Sequence, residues 1–403
     1  MVKRLKILSA FLLLPFLACS GEEPPADLAQ PPWSPVGPGG PTGPCAAVAS
    51  WKDDTASGFV SPEALKTCIA KGPSTADCLD PVFKEYLAHR STKDALAMLQ
   101  CYGDLDVDIR AGCHPVAHAI GRETFRVTGT VDLSFQACDQ TCLSGCYHGA
   151  LERFLRGDAP GDGHISLREL QKKAALACDP ALPFRLLFQC LHGLGHAVMY
   201  FSGYDLRSSL TVCEATGGSW HASACFGGVF MENIVAAERD KRDVSPTDYQ
   251  YPCNSLDTKY RADCYLLQTS RMREMGLTAA QILVECGKAG AHRNICIQSL
   301  GRDLSDEVRV GGGKSVASTC GLAKGDDRTA CIRGVVFSLV DNRWDAHLAF
   351  PHCTDYADAL DARYCFETTA SYLKWSYSKT ADEILAQCRQ YVPGNEVCLT
   401  ASR

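Results

Sequence analysis

Apolar residues along this chain recur at three- and four-residue spacing in short runs, and each run stops at a polar loop or at a cysteine. SPEALKTC, ISLRELQKKAALAC and SKTADEILAQC end in this way, while CLDPVFKEYLAHR, CIRGVVFSLVDN and CFETTASYLKW start from a cysteine and keep the same period. Such spacing gathers apolar side chains on one face of a helix; a half-buried strand would alternate at every second residue. No hairpin turn signals separate alternating runs. The pattern predicts an all-α chain of helical hairpins.

The cysteines make this alternation a repeat. Most of the 23 fall into close couples: Cys68 with Cys78, Cys101 with Cys113, Cys138 with Cys146, Cys178 with Cys190, and Cys213 with Cys225. Cys253 with Cys264, Cys286 with Cys296, Cys320 with Cys331, Cys353 with Cys365, and Cys388 with Cys398 complete the series, leaving Cys45 and Cys142 as a candidate further pair. First members lie 33 to 40 residues apart, the period of helical-hairpin repeats. The expected fold is a tightly curved α-solenoid of about ten hairpins, each stapled between its first and second helix. A disulfide closing so short a loop stabilises by roughly 3 kcal/mol on the chain-entropy account.

This topology resembles the cysteine-rich Sel-type repeat proteins, exported relatives of tetratricopeptide arrays with one disulfide per hairpin. The resemblance covers residues 60 to 403 as architecture. The alanine and glycine consensus of that family is not repeated here, and the cysteine spacing is wider.

The first residues, MVKRLKILSAFLLLPFLACSG, have a basic start, a short apolar run and a small residue before Cys19, the layout of an export signal. They resemble a bacterial lipoprotein signal in which FLAC is the lipobox, with Phe16 where leucine is usual, and Cys19 takes the lipid. A signal at 1–18, a Pro/Gly-rich tether at 19–44 and a helical-repeat domain at 45–403 are the expected divisions. Within the last, units at about 88–245 carry the candidate chemistry and repeats at 246–403 complete the array. Export suits a disulfide framework. A net charge of −6 supplies no basic footprint, so nucleic acid is not an expected partner. The expected partners are the membrane, through the N-terminal lipid, and a protein or peptide on the solenoid.

Comparison of the second-helix starts within the chain isolates four units. CHPVAHAIGRETF carries His114 and His118, CYHGALERF carries His148 and Glu152, CLHGLGHAVMYF carries His192 and His196, and CFGGVFMENI carries Gly228 and Glu232. Residues four apart project from one helix face, about 5–6 Å between Cβ atoms, as in HExxH metal helices. His114, His118, His148, Glu152, His192, His196 and Glu232 are therefore the candidate metal ligands, on one curved wall, with a dinuclear or larger cluster favoured. Gly149, Gly193, Gly195, Gly227 and Gly228 beside them either allow close helix approach or leave room for a substrate. Tyr147, Glu123 and Arg122 are candidate acid, base or ligand-orienting groups, together with Tyr200 and Asn233.

With thiolates consumed by disulfides, imidazole and carboxylate donors point to iron, copper or zinc rather than to an all-oxygen site. The architecture is similar to deoxyhypusine hydroxylase, in which helices of a HEAT-type array donate His and Glu to a di-iron centre; its adjacent His-Glu pairs are absent here. An exported metal-dependent oxidoreductase or hydrolase is the first functional expectation. A non-catalytic metal-binding or protein-interaction scaffold of the cell surface is the alternative.

A calcium site is a further expectation. DAPGDGHISLRE aligns with an EF-hand loop through Asp158, Asp162, His164, Ser166 and Glu169, with Gly163 at the sharp turn and Pro160 where a ligand is usual. CDQTCLSGCYH has neither the CxxCH of haem attachment nor the CxxxCxxC of radical chemistry.

Overall fold

The computed structural model describes residues 60–72, 75–157, 165–236, 239–341 and 343–402, among which helix is the only regular structure. The chain runs through α1 (Pro62–Ile69) and α2 (Thr75–His89), then α3 (Thr92–Leu105), the short α4 (Val107–Ala111) and α5 (Cys113–Thr128). Next come α6 (Val131–Ala137) with α7 (Thr141–Arg156), α8 (Leu167–Ala177) with α9 (Phe184–Phe201), and α10 (Leu206–Cys213) with α11 (Ser219–Val235). The array continues through α12 (Thr258–Tyr265) and α13 (Gln268–Glu274), α14 (Ala279–Cys286) and α15 (Arg293–Arg309), and α16 (Gly313–Cys320) and α17 (Asp326–Asp341). It ends with α18 (Ala349–Cys353) and α19 (Ala359–Tyr377), then α20 (Ala381–Tyr391) and α21 (Glu396–Ala401). This is the helical repeat that the apolar period predicts. Arg185, at the start of α9, lies 4.5 Å over the ring of Trp344 beyond α17, so the array bends far enough to bring distant units into contact.

Helix starts are set in two ways. Ser61, Ser91, Thr130 and Thr278 cap first helices through side-chain oxygens, satisfying amide donors that have no partner inside the helix. By contrast, α5, α7, α9 and α11 have no side-chain cap. A disulfide ties each of these four within its first two turns.

Nine of the expected cysteine couples are bonded as the spacing suggests. The pairing of Cys101 with Cys113 is incorrect. Cys113 bonds Cys142, and Cys101 is disulfide-bonded elsewhere. In most other couples the first cysteine stands at or near the end of its helix, but α3 continues past Cys101 to Leu105, and α4 follows. The extra turns deliver Cys113 to the start of α5, beside the start of α7, with 5.6 Å between the Cα atoms of Cys113 and Cys142. The disulfide thus joins two long helices rather than the two arms of one hairpin.

Long helices also meet in pairs through glycine. A Cβ on Gly121 of α5 would lie 2.0 Å from the carbonyl oxygen of Cys146, and one on Gly149 of α7 would lie 1.9 Å from that of His118. The same reciprocal contact joins Gly195 of α9 to Cys225 (2.1 Å) and Gly228 of α11 to His192 (1.9 Å). It recurs between Gly301 of α15 and Cys331, and between Gly334 of α17 and Gln298. Close helix approach is therefore what Gly149, Gly195 and Gly228 provide, and the third pair achieves it with no histidine nearby in register.

The signal, Cys19, the tether, Cys45, Asp158, Asp162 and His164 lie outside the described residues. Ser166 and Glu169 are exposed, and the Ser166 hydroxyl accepts the Glu169 amide as the cap of α8.

Candidate metal centre

Helices α5, α7 and α9 bring the five candidate imidazoles into one contiguous row, and α11 adds Glu232. His114 and His118, one turn apart on α5, present their Nε2 atoms to each other at 2.9 Å. One nitrogen from each of His114, His118 and His148 lies within 4.8 Å of those of the other two. On α9, the Nε2 atoms of His192 and His196 face each other at 3.3 Å. His148 stands between the two pairs, its ring centroid 5.4 Å from those of His114 and His118 and 4.7 Å from that of His196.

The opposite nitrogens are committed outward. His114 Nδ1 donates to the Cys142 carbonyl at 2.7 Å, and His192 is hydrogen-bonded to the Ala224 backbone. His118 Nδ1 donates to Glu152 at 2.7 Å, and His196 Nδ1 to Glu232 at 2.8 Å. A carbonyl or an ionised carboxylate accepts only, so the bonds of His114, His118 and His196 place a proton on Nδ1 and turn Nε2 inward. Glu152 and Glu232 therefore stand behind imidazoles and orient them, the arrangement that surrounds metal-bound histidine.

Glu152 has further support. Arg122 Nη1 donates to its second oxygen at 2.8 Å, and the rest of the guanidinium grips Asp80 of α2 at 2.6 to 3.1 Å. Burial pushes the Glu152 carboxyl upward, but His118 and Arg122 outweigh it and hold the group well below the usual carboxylate range. Asp80 was not among the sequence candidates. It occupies the second position after Cys78, the slot that His148 and His192 fill after their cysteines, and this was the available signal.

Burial, reinforced by the neighbouring imidazoles, drives His114 and His192 down to about 3 and His148 well below its ordinary value. Those three rings are neutral near pH 7, the form that ligates a metal. His148 is also left with a buried Nδ1 that has no hydrogen-bond partner, while Gly193 lies against its Cδ2 edge, where a Cβ would come to 2.8 Å. A buried ring nitrogen without a partner is uncommon and costly unless something unseen satisfies it.

Helix contacts give a register independent of the cysteines. His118 and His192 are the residues whose carbonyls meet Gly149 and Gly228, so those two are equivalent. The pair His114/His118 thus sits one helical turn ahead of His192/His196, and the four turns that look equivalent when counted from cysteine are not. In the third glycine pair the equivalent residue is Gln298, which accepts from Arg333 Nε at 3.0 Å.

Other candidates stand apart from the row. Tyr147 is buried against Phe135 and donates to the Cys138 carbonyl. Glu123 pairs with Arg126, Asn233 exchanges hydrogen bonds with the Asp243 backbone, and Tyr200 is exposed. Phe188, one turn before His192, stacks on that ring at 5.6 Å, and Phe184 packs on Trp220 at 4.8 Å; all three are partly exposed aromatics that sequence reading overlooked. The chain matches no protein family, no curated protein and no solved structure.

Proposed function

We propose that this chain is an exported, membrane-tethered metalloenzyme in which His114, His118 and His148 hold a zinc or copper ion with one coordination position left for water or substrate. The observation that carries the reading is the approach of two Nε2 atoms to 2.9 Å while both rings donate outward from Nδ1. With the Nδ1 protons donated outward, two unprotonated Nε2 atoms held so would set lone pair against lone pair; a cation between them turns repulsion into ligation. With metal–nitrogen bonds of about 2.0–2.1 Å, a separation of this size suits two ligands on one ion.

The donors that converge are all imidazole. Every described cysteine is disulfide-bonded, and both carboxylates are engaged behind the rings, which favours zinc or copper over a carboxylate-rich iron site. A three-imidazole ion with an open position lowers the pKa of bound water and polarises a carbonyl or phosphoryl oxygen. The chain's own part is to fix the tautomers of His114 and His118 and hold the three rings on helices locked by disulfides and glycine contacts. The lipoprotein-like start and the disulfide framework support an oxidising compartment outside the cytosol.

The test is metal analysis of the disulfide-intact chain after dialysis against Zn²⁺ or Cu²⁺, compared with His114→Asn/His118→Asn. Tight binding lost in the variant is expected; equal metal content in both overturns the reading. The open position is tested by loading Co²⁺ and adding azide, which should shift the visible bands. An unmoved spectrum favours the second reading, a non-catalytic metal store, for which the unbroken row of five imidazoles speaks.

A further inference from the structure

The planes of the five rings divide the row. An imidazole lone pair lies in the plane of its ring, so rings that share an ion must have planes that cross where the ion sits. His114, His118 and His148 meet this condition, with interplanar angles of 67°, 78° and 87° and centroids 4.5 to 5.4 Å apart. His192 and His196 meet it with each other, at 68° and 5.1 Å. Between His148 and His196 the rings are stacked, 23° from parallel at 4.7 Å, while His192, tilted by 45°, stands farther off with its centroid 6.4 Å from that of His148. Planes so nearly parallel do not cross between the rings, and no single ion takes in-plane lone pairs from both.

We infer that the row binds two ions, the second on the Nε2 atoms of His192 and His196. The inference rests on the proposed reading of the imidazoles as ligands, and adds a separate site with its own two ligands. Its rings are prepared like those of the first. His196 Nδ1 is held by Glu232 and His192 by the Ala224 backbone, and the inward nitrogens stand 3.3 Å apart, again a separation suited to two ligands on one ion with bonds of about 2.0–2.1 Å. A divalent transition-metal ion of the zinc or copper type suits a pair of imidazole nitrogens. With two protein ligands instead of three, the second ion binds more weakly and keeps more positions for water or an anionic ligand. His148, stacked on His196, is the wall between the sites.

Zn²⁺ titration of the full, disulfide-intact chain against a chromogenic chelator should read two equivalents, the second weaker. His192→Asn/His196→Asn should read one, with the tighter affinity kept. An asparagine amide stands where Nδ1 stood, so the donor toward Glu232 is preserved. Cu²⁺ loading of the unmodified chain gives a check that needs no variant: two neighbouring ions show a half-field paramagnetic resonance signal from spin coupling. One equivalent that survives in His192→Asn/His196→Asn, with no half-field signal, overturns the second site and leaves the first standing. One equivalent abolished by either double asparagine variant also overturns it, because the five rings then form a single centre. Absence of any bound ion overturns both readings.

Discussion

Glu152 accepts the Nδ1 proton of His118 at 2.7 Å while Arg122 grips its other oxygen at 2.8 Å. Arg122 in turn is forked onto Asp80, so one chain of charged contacts runs from α2 through α5 to α7 and ends on an imidazole of the candidate centre. Its physical effect is to fix one tautomer and one ring orientation before any ion arrives.

Glu152→Gln is therefore expected to weaken Zn²⁺ binding by about 10- to 100-fold, the usual consequence of removing the carboxylate behind a metal-bound histidine. Arg122→Lys should weaken it less, since a lysine keeps the charge but loses the fork. Competition titration checks both. Unchanged affinity in Glu152→Gln would show that the carboxylate orients nothing that binds metal.

The glycine pairs separate helix approach from chemistry. A Cβ at Gly149 or at Gly334 lands 1.9 Å from a carbonyl oxygen, so both helices must shift. Gly149→Ala and Gly334→Ala should each cost about 1–3 kcal/mol of stability, the range for overpacking, read as lower thermal midpoints. Only Gly149→Ala should also weaken metal binding, because His148 is its neighbour in the chain and α5 carries His114 and His118. Equal loss of metal affinity in Gly334→Ala would contradict a centre confined to the first two helix pairs.

Repeat number, helix periodicity and nine disulfides were legible because each is a local, recurring signal. The exception at Cys101 and Cys113 arose where α3 overruns its cysteine and α4 intervenes, a change in helix length that cysteine spacing of 12 residues does not reveal, since Cys178 and Cys190 have the same separation. The histidines were found by spacing, but the role of Glu152 was not: four residues after His148 it looks like a ligand of the same ion, and only the contact between α5 and α7 shows it behind His118. Register between helices is set by glycine and carbonyl contacts, and counting from cysteine misses these by a turn.

The Cys113–Cys142 disulfide makes a prediction of its own. Non-reducing peptide maps should yield a linked peptide containing both residues, and none joining Cys101 to Cys113. Cys142→Ser should lower stability by about 3–4 kcal/mol for a loop of 29 residues. It should also loosen the Cys142 carbonyl that holds His114, so metal affinity should fall with it. A Cys101–Cys113 peptide in the map would rule out this pairing.

Acid should destabilise the metal-free chain through its neutral imidazoles. His114 and His192 have folded pKa values of about 3 against an ordinary value of 6.5, and His148 lies well below 6.5 as well. Between these limits the unfolded chain binds protons that the native chain refuses, so stability rises with pH across the window and is lost as pH falls below about 6.5. Above that value the three rings are neutral in both states and contribute no slope. Urea midpoints of the metal-free chain should therefore drop from pH 7 to pH 5, and His114→Asn/His192→Asn should flatten the drop. Zn²⁺ at 100 times its dissociation constant should add about 2.7 kcal/mol at pH 7 and progressively less in acid, as protons compete for the same nitrogens. A midpoint that rose toward pH 5, or did not respond to the double substitution, would mean that these rings are charged or exposed in the native chain.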